Sequence, residues 1–250
     1  MSNMKELEEL DVSASMSKTI SVLWSALAEV ENALANGHEG EAKALLDIVV
    51  KKVMETEEYF WRPVDSDEIY DKLKAIYQKL GNETMANEWG KRINLRKARE
   101  IEFLGRVQNF CGNNTLALEY YTQAAALAPE FQLAQDGKKK AEKSVMKAKR
   151  EMDTLLLRTS GNTDTLMKIG ILLLNLNKVD EAIQHFKSVL AQGENLEATT
   201  RLGLAYLSAG KYEEAKKCFE KVLAEKPSSL NAKRGKNYAN YFLGIESAVE

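Results

Sequence analysis

Chemistry in this chain would have to rest on two histidines, two cysteines and a few runs of carboxylates. A metal site needs several donors brought to one point, usually at recognisable spacing. His38 follows Gly37 in a turn-like stretch and His185 stands beside Phe186, neither with a set of partners at ligand spacing. Cys111 and Cys218 lie 107 residues apart and no C-x-x-C occurs, which excludes a zinc ribbon or a dithiol redox motif. The cysteines read as small buried hydrophobes. Nucleophilic and phosphoryl chemistry have their own settings, and the sequence holds no G-x-x-x-x-G-K-S/T, G-x-G-x-x-G, G-x-S-x-G or H-E-x-x-H. Glu213-Glu214 and the carboxylates between Glu55 and Glu58 read as solvated helix faces. Without a nucleophile–base pair or a phosphate loop, the expectation is a protein that is not an enzyme, with no catalytic residue, no metal ligand and no cofactor.

Composition narrows the class further. The chain has 250 residues, 35 Lys+Arg against 37 Asp+Glu, and 44% hydrophobic residues, enough for a real core. The near-neutral charge argues against a dedicated nucleic-acid binder. Only 3 Pro and 14 Gly suit long helices joined by short turns. The first eleven residues are acidic and lack the apolar run of a signal peptide. The longest apolar runs, Ile171–Leu174 and Leu155–Leu157, are far below the roughly 18 residues that cross a bilayer. The expected location is cytoplasmic, with no membrane span.

The elements follow from periodicity. Ile20, Leu23, Leu27, Val30 and Leu34 recur at spacings of 3, 4, 3 and 4, one stripe of a helix over 13–35. Asn36-Gly37 breaks it, and a second helix from Glu39 to Phe60 completes a hairpin. Trp61-Arg62-Pro63 ends that helix, because a residue before proline is pushed out of the α region. Asp65, Ser66 and Glu68 restart one in capping-box style. Further along, Gly170 and Gly203, Ala182 and Ala215, Phe186 and Phe219, and Val189 and Val222 are each 33 apart. Small residues recur where two helices must approach, and large ones fill the space between.

This unit resembles the tetratricopeptide repeat, a 34-residue helix-turn-helix. The stretch 196–229 carries Leu202, Gly203, Tyr206, Ala215, Phe219 and Pro227 at the signature positions, with Thr199 in place of Trp. The stretch 163–195 carries Leu166, Ile169, Gly170, Leu173, Ala182 and Phe186, with Glu194 in place of Pro. The stretch 98–131 carries Ile101, Leu104, Gly105, Ala117, Tyr121, Ala124 and Pro129, with Gln108 departing. A weaker unit at 67–97 has Tyr70, Leu73, Tyr77, Gly81 and Ala86, and departs at Lys74 and Gly90. The resemblance implies an all-α, right-handed α-α superhelix. Its expected parts are an N-terminal helical hairpin (1–62), two repeats (67–131), an amphipathic linker helix (132–162), two repeats (163–229) and a C-terminal capping helix (230–250). Ala141, Val145, Ala148, Met152 and Leu155 form the stripe of the linker, and Ser228-Ser229 can cap the last helix.

In the resembling family the first helix of each pair lines a concave groove. Carried onto the last two units, those positions are Asp164, Met167, Ile171, Leu174 and Asn175, then Glu197, Thr200, Leu204, Leu207 and Ser208. The middle is apolar, and an excess of apolar groove residues usually means a partner surface. Lys168 and Arg201 stand beside it. In the earlier units the positions are mixed in charge: Glu68, Asp71, Ala75, Gln78 and Lys79, then Arg99, Glu102, Arg106, Asn109 and Phe110. The candidate partner-binding set is Met167, Lys168, Ile171, Leu174, Asn175, Thr200, Arg201, Leu204 and Leu207, with Arg106 and Asn109. The expected occupant is a peptide or amphipathic helix of a partner protein. The alternatives are occlusion by the chain's own C-terminal or linker helix, and a structural subunit that pairs with its own copies as a homo-oligomer through the groove or the 141–155 stripe of the linker helix. Co-chaperone repeats in this family clamp a C-terminal carboxylate using Asn after the first-helix glycine. Here that position is Ala75, Arg106, Ile171 or Leu204, so the clamp is not expected. Lys138 to Arg150 holds seven basic residues and one acid. Contact with nucleic acid or an anionic surface is a minor alternative there, since no aromatics interleave to stack on bases.

Overall fold

The structure is a computed structural model, and it describes residues 2–11, 15–56, 63–156 and 162–245. Among the described residues every regular element is an α-helix, in keeping with the sequence expectation. In chain order these are α1 (Ser2–Glu8), α2 (Met16–Ala35), α3 (Glu39–Thr56), α4 (Pro63–Lys79), α5 (Glu83–Cys111) and α6 (Asn114–Leu127). There follow α7 (Gln132–Leu156), α8 (Thr163–Asn175), α9 (Val179–Ala191), α10 (Leu196–Ser208), α11 (Tyr212–Glu225) and α12 (Leu230–Phe242). No helix among the described residues is long and apolar enough to cross a membrane. Parts of two sequence expectations, the end of the second helix at Phe60 and the breaker Trp61-Arg62, lie outside the described residues.

The helices begin and end for local reasons. Asn113, Asn162 and Asn195 cap α6, α8 and α10, each side-chain oxygen accepting from the backbone N–H three residues on. Ser229 does the same for α12, as its sequence position implied. The ends of α8 and α10 share one device. Asn177 and Gly210 both sit in the left-handed region, at φ 62° and 73°. The following N–H then donates back to the carbonyl five residues earlier, Lys178 to Leu173 and Lys211 to Tyr206. Glycine adopts this conformation freely, while asparagine does so at a modest cost.

The chain divides into two compact units, Met1–Arg96 and Lys97–Glu250. Residues 83–96 of α5 belong to the first and residues 97–111 to the second. No glycine or proline interrupts Asn94-Leu95-Arg96-Lys97-Ala98, so the helix has no local reason to stop where the repeat pattern turns.

In the first unit α2 and α3 form the expected hairpin, and α1 packs on both, burying Leu7. Leu23, Leu27, Val30, Leu46, Val49 and Val53 meet Ile69, Leu73, Ile76 and Trp89 in one core. Tyr70 and Trp89 lie with ring centroids 5.4 Å apart. The repeat pattern fails here at both Lys74 and Gly90, and the two failures compensate. The end of the Lys74 stem lies beside Gly90, so the long chain and the missing one have exchanged places. Glu31 joins α2 to α4 through Lys72 at 2.6 Å and Lys79 at 3.4 Å. The hydrogen bond from Lys72 is the main cause that holds its carboxyl below the usual range.

In the second unit the helix pairs nest through glycine and an aromatic ring. Gly105 lies against Tyr121, Gly170 against Phe186 and Gly203 against Phe219, each ring sixteen residues after its glycine. A Cβ on these glycines would stand 2.9, 2.7 and 2.8 Å from the ring, closer than carbon atoms approach. Sixteen residues beyond Tyr121 and Phe219 stand Gly137 and Gly235, which press on the same rings from the next helix. Gly137 belongs to α7. That helix, expected to fall outside the repeats, packs on α6 as α12 packs on α11, and it also contacts α8. Ala134, Ala141, Val145 and Ala148 form its buried face.

Candidate functional site

The residues expected to line the apolar groove are on the first helices of two adjacent pairs, α8 and α10. The geometry gives them neighbours that the sequence did not suggest. Leu204 and Leu207 are 5% and 2% exposed, and they share a buried cluster with Val107 and Cys111 of α5. Phe103 and Phe110 pack against this cluster from the same helix, and Tyr238 and Phe242 from α12. Met167 and Leu174 are buried too, in a cluster that Met152 of α7 joins. The expectation of an open apolar trough is corrected at these four residues: the chain itself covers them. The physical reason is area. Each exposed Leu of this kind would forgo about 1.5–3 kcal/mol of burial, and α5 offers a matching stripe of Phe103, Val107, Phe110 and Cys111 at spacings of 4, 3 and 1.

Polar bonds fix the same contact. Asn113, wholly buried between α5 and α6, donates from Nδ2 to Asn177 Oδ1 at 2.8 Å and to Ser208 Oγ at 3.0 Å. Ser208 Oγ donates in turn to Gln108 Oε1 at 2.7 Å. Thr115 Oγ1 donates to the Asn175 carbonyl at 2.9 Å. Every hydrogen of Asn113 is thereby used, and the turn after α5 is held to the ends of α8 and α10. Gln108 stands where the repeat pattern has Tyr, and its amide explains the departure. Of the residues in this network, sequence reasoning had placed Asn175 and Ser208 in the groove and missed Asn113, Thr115 and Asn177.

Rings complete the closure. Phe103 lies 5.3 Å from Tyr241 and 6.1 Å from Tyr238, Phe110 lies 5.3 Å from Tyr238, and Tyr212 stacks on Phe242 at 4.8 Å. Arg106 lies over Phe103 and pairs with Glu102 at 3.0 Å. Glu102 is only 4% exposed. Tyr121, close to both, has its hydroxyl pKa pushed up to about 12, first by burial, then by Glu102 and Tyr238, against the opposing charge of Arg106. The thiol of Cys111 is pushed up by burial alone, which leaves it unreactive at neutral pH.

The rest of the candidate set divides by exposure. Ile171, Asn175, Thr200 and Arg201 are half-buried. Thr200 Oγ1 is occupied with the Leu196 carbonyl at 2.7 Å, and Arg201 reaches Glu197 at 3.5 Å. Lys168, Arg106 and Asn109 are exposed. Of the two histidines, His38 is exposed and His185 half-buried. Among the described residues no group of three His, Cys, Asp or Glu could hold a metal ion.

The family model described as Tetratricopeptide repeat matches residues 147–236. No curated protein matches the chain. Among solved structures the chain is similar to a chain of the APC/C hetero-tetramer Cut9–Hcn1, at 18% identity and a TM-score of 0.31, over 87% of this chain and 42% of that one. It therefore spans well under half the length of that relative. It is also similar to PilF of Pseudomonas aeruginosa, at 14% identity and a TM-score of 0.29, over 87% of this chain and 96% of that one.

Proposed function

From the premise that residues 147–236 carry tetratricopeptide repeats, we propose that this protein is a non-enzymatic scaffold that binds a segment of a partner protein. One observation supports the reading above others. The pairs α8–α9 and α10–α11 nest in the same way, glycine on phenylalanine, so consecutive pairs present equivalent side chains in a row. Such a surface meets an extended or helical segment at several points.

The partner meets what α5 leaves uncovered. Lys168, Arg106 and Asn109 are exposed, and Arg201 and Ile171 are half-buried at the rim of the filled trough. Leu204 and Leu207 serve as the floor that holds these in place, without touching the partner. Affinity capture from native lysate, read by mass spectrometry, tests this with a variant carrying Asn109→Ala, Lys168→Ala and Arg201→Ala, which leaves the Arg106–Glu102 pair in place. The wild type recovers a protein in near-stoichiometric amount and the variant loses most of it, with helical circular dichroism unchanged. Equal recovery by both would remove the rim from the reading, and no stoichiometric protein with either would remove the scaffold.

A further inference from the structure

The outward face of α7 is charged, largely unpaired and partly apolar, and nothing in the repeat packing accounts for it. Its buried face runs through Ala134, Ala141, Val145 and Ala148. On the opposite side Lys139, Lys143, Met146 and Arg150 follow at spacings of 4, 3 and 4, with Lys140 and Lys147 beside them. All six are exposed, Met146 by 62%. Leu133, also 62% exposed, lies at the start of the same helix. The stripe from Lys139 to Arg150 is about 16 Å long at the helical rise. Lys147 reaches Glu151 at 3.6 Å. Among the described residues Lys139, Lys140, Lys143 and Arg150 pair with no carboxylate. Like charges one turn apart, as at 139 and 143 or 143 and 147, disfavour the helix until something neutralises them.

We propose that this face docks an acidic segment of a partner protein in which apolar side chains alternate with carboxylates. Charge complementarity selects an anion. Met146 in the midst of the cations, with Leu133 beyond, selects one that also brings apolar groups, which a phosphate backbone does not. Residues 132–156 contain no aromatic on which a base could stack. A membrane is disfavoured because the apolar side of α7 is already buried in the protein and cannot insert. The inference rests on the scaffold reading only in taking the partner to be a protein, and it concerns a different surface from the rim.

Fluorescence anisotropy on the full chain tests it, with a labelled peptide of repeating Leu-Glu-Glu as probe. Poly-glutamate, single-stranded RNA and phosphatidylserine vesicles serve as rivals. The Leu-Glu-Glu peptide should bind most tightly and weaken by about tenfold or more from low to high salt. The triple variant Lys139→Glu, Lys143→Glu and Arg150→Glu, all on exposed positions, should lose it with an unchanged urea midpoint. Met146→Ser should weaken it roughly fivefold. Binding by the triple variant equal to wild type overturns the proposal, and so does tighter binding of RNA or vesicles than of the peptide. Poly-glutamate binding as well as Leu-Glu-Glu, with Met146→Ser silent, overturns its apolar half. Because every component is purified, failure here leaves the capture experiment on the rim variant standing, and the reverse holds too.

Discussion

Helical glycines in this chain fall into two kinds, and the distinction is a matter of tenths of an ångström. Gly203 faces the Phe219 ring and the Cys218 Cβ, where an added Cβ would stand at 2.8 and 3.1 Å. Gly90 faces only the end of the flexible Lys74 chain, at 3.9 Å. Alanine gains up to about 1 kcal/mol over glycine within a helix, but forcing a methyl into a packed ring costs about 1–3 kcal/mol. Gly203→Ala should therefore lower the stability of the second unit, whereas Gly90→Ala should raise that of the first by about 0.5–1 kcal/mol. Urea unfolding of both variants checks the opposed signs. Tyr121, the ring between Gly105 and Gly137, carries a pH signature as well. Its hydroxyl titrates near 12 when folded, against about 10 in an unfolded chain. The unfolded state then loses its proton first, so this contribution is complete below about pH 10 and is lost as pH rises through about 12. Tyr121→Phe should flatten the fall in urea midpoint over that window, and an unchanged slope would speak against the burial of this hydroxyl.

Helices α5 and α7 decide what the repeats can offer at the level of elements. Residues 97–111 of α5 act as the first helix of one pair and also as the filling for α8 and α10. On the sequence alone, Leu204→Asp reads as a binding variant that leaves the fold intact. With Leu204 buried beside Val107 and Cys111, the same change places a carboxylate in an apolar cluster. It should cost about 3 kcal/mol or more, seen as a lower melting temperature, with any loss of partner a consequence of unfolding. The turn after α8 gives a finer test. Asn177→Gly relieves a left-handed asparagine, which alone would favour the variant, but it also removes the oxygen that accepts from Asn113. A buried donor left without its acceptor costs about 1–3 kcal/mol. The variant should thus be less stable than wild type, while in the background Asn113→Ala it should be neutral or stabilising. The double-mutant cycle measures this coupling directly.

On the scale of the molecule the boundary between compact units falls at Arg96 and Lys97, inside a continuous helix, and the described residues of 97–250 hold three buried apolar clusters of their own. A fragment of residues 97–250 should unfold in one cooperative transition. A fragment of 163–250 keeps α8 to α12 but lacks Phe103, Val107 and Phe110. It should expose Leu204, Leu207, Tyr238 and Phe242, bind a hydrophobic dye and self-associate in sedimentation velocity. Monomeric, dye-silent behaviour of the shorter fragment would mean that α5 contributes nothing essential to that face.

Local sequence sufficed for much of this. The stripe from Ile20 to Leu34, the cap at Ser229, and the recurrence of glycine and phenylalanine between 170 and 222 specify helices and their nearest pairings. These depend on contacts within a few tens of residues. The role of α7 was half legible: its buried stripe could be read, but Gly137, 33 residues before Gly170 and so on the glycine register, went unread because no other signature residue of the repeat accompanies it. What filled the trough was not legible at all. Whether Leu204 meets solvent, a partner or Val107, almost a hundred residues earlier, leaves no mark on periodicity, because every apolar face reads alike until the chain folds back on it. That choice belongs to the tertiary structure, where burying two such faces against each other releases more free energy than leaving either in water.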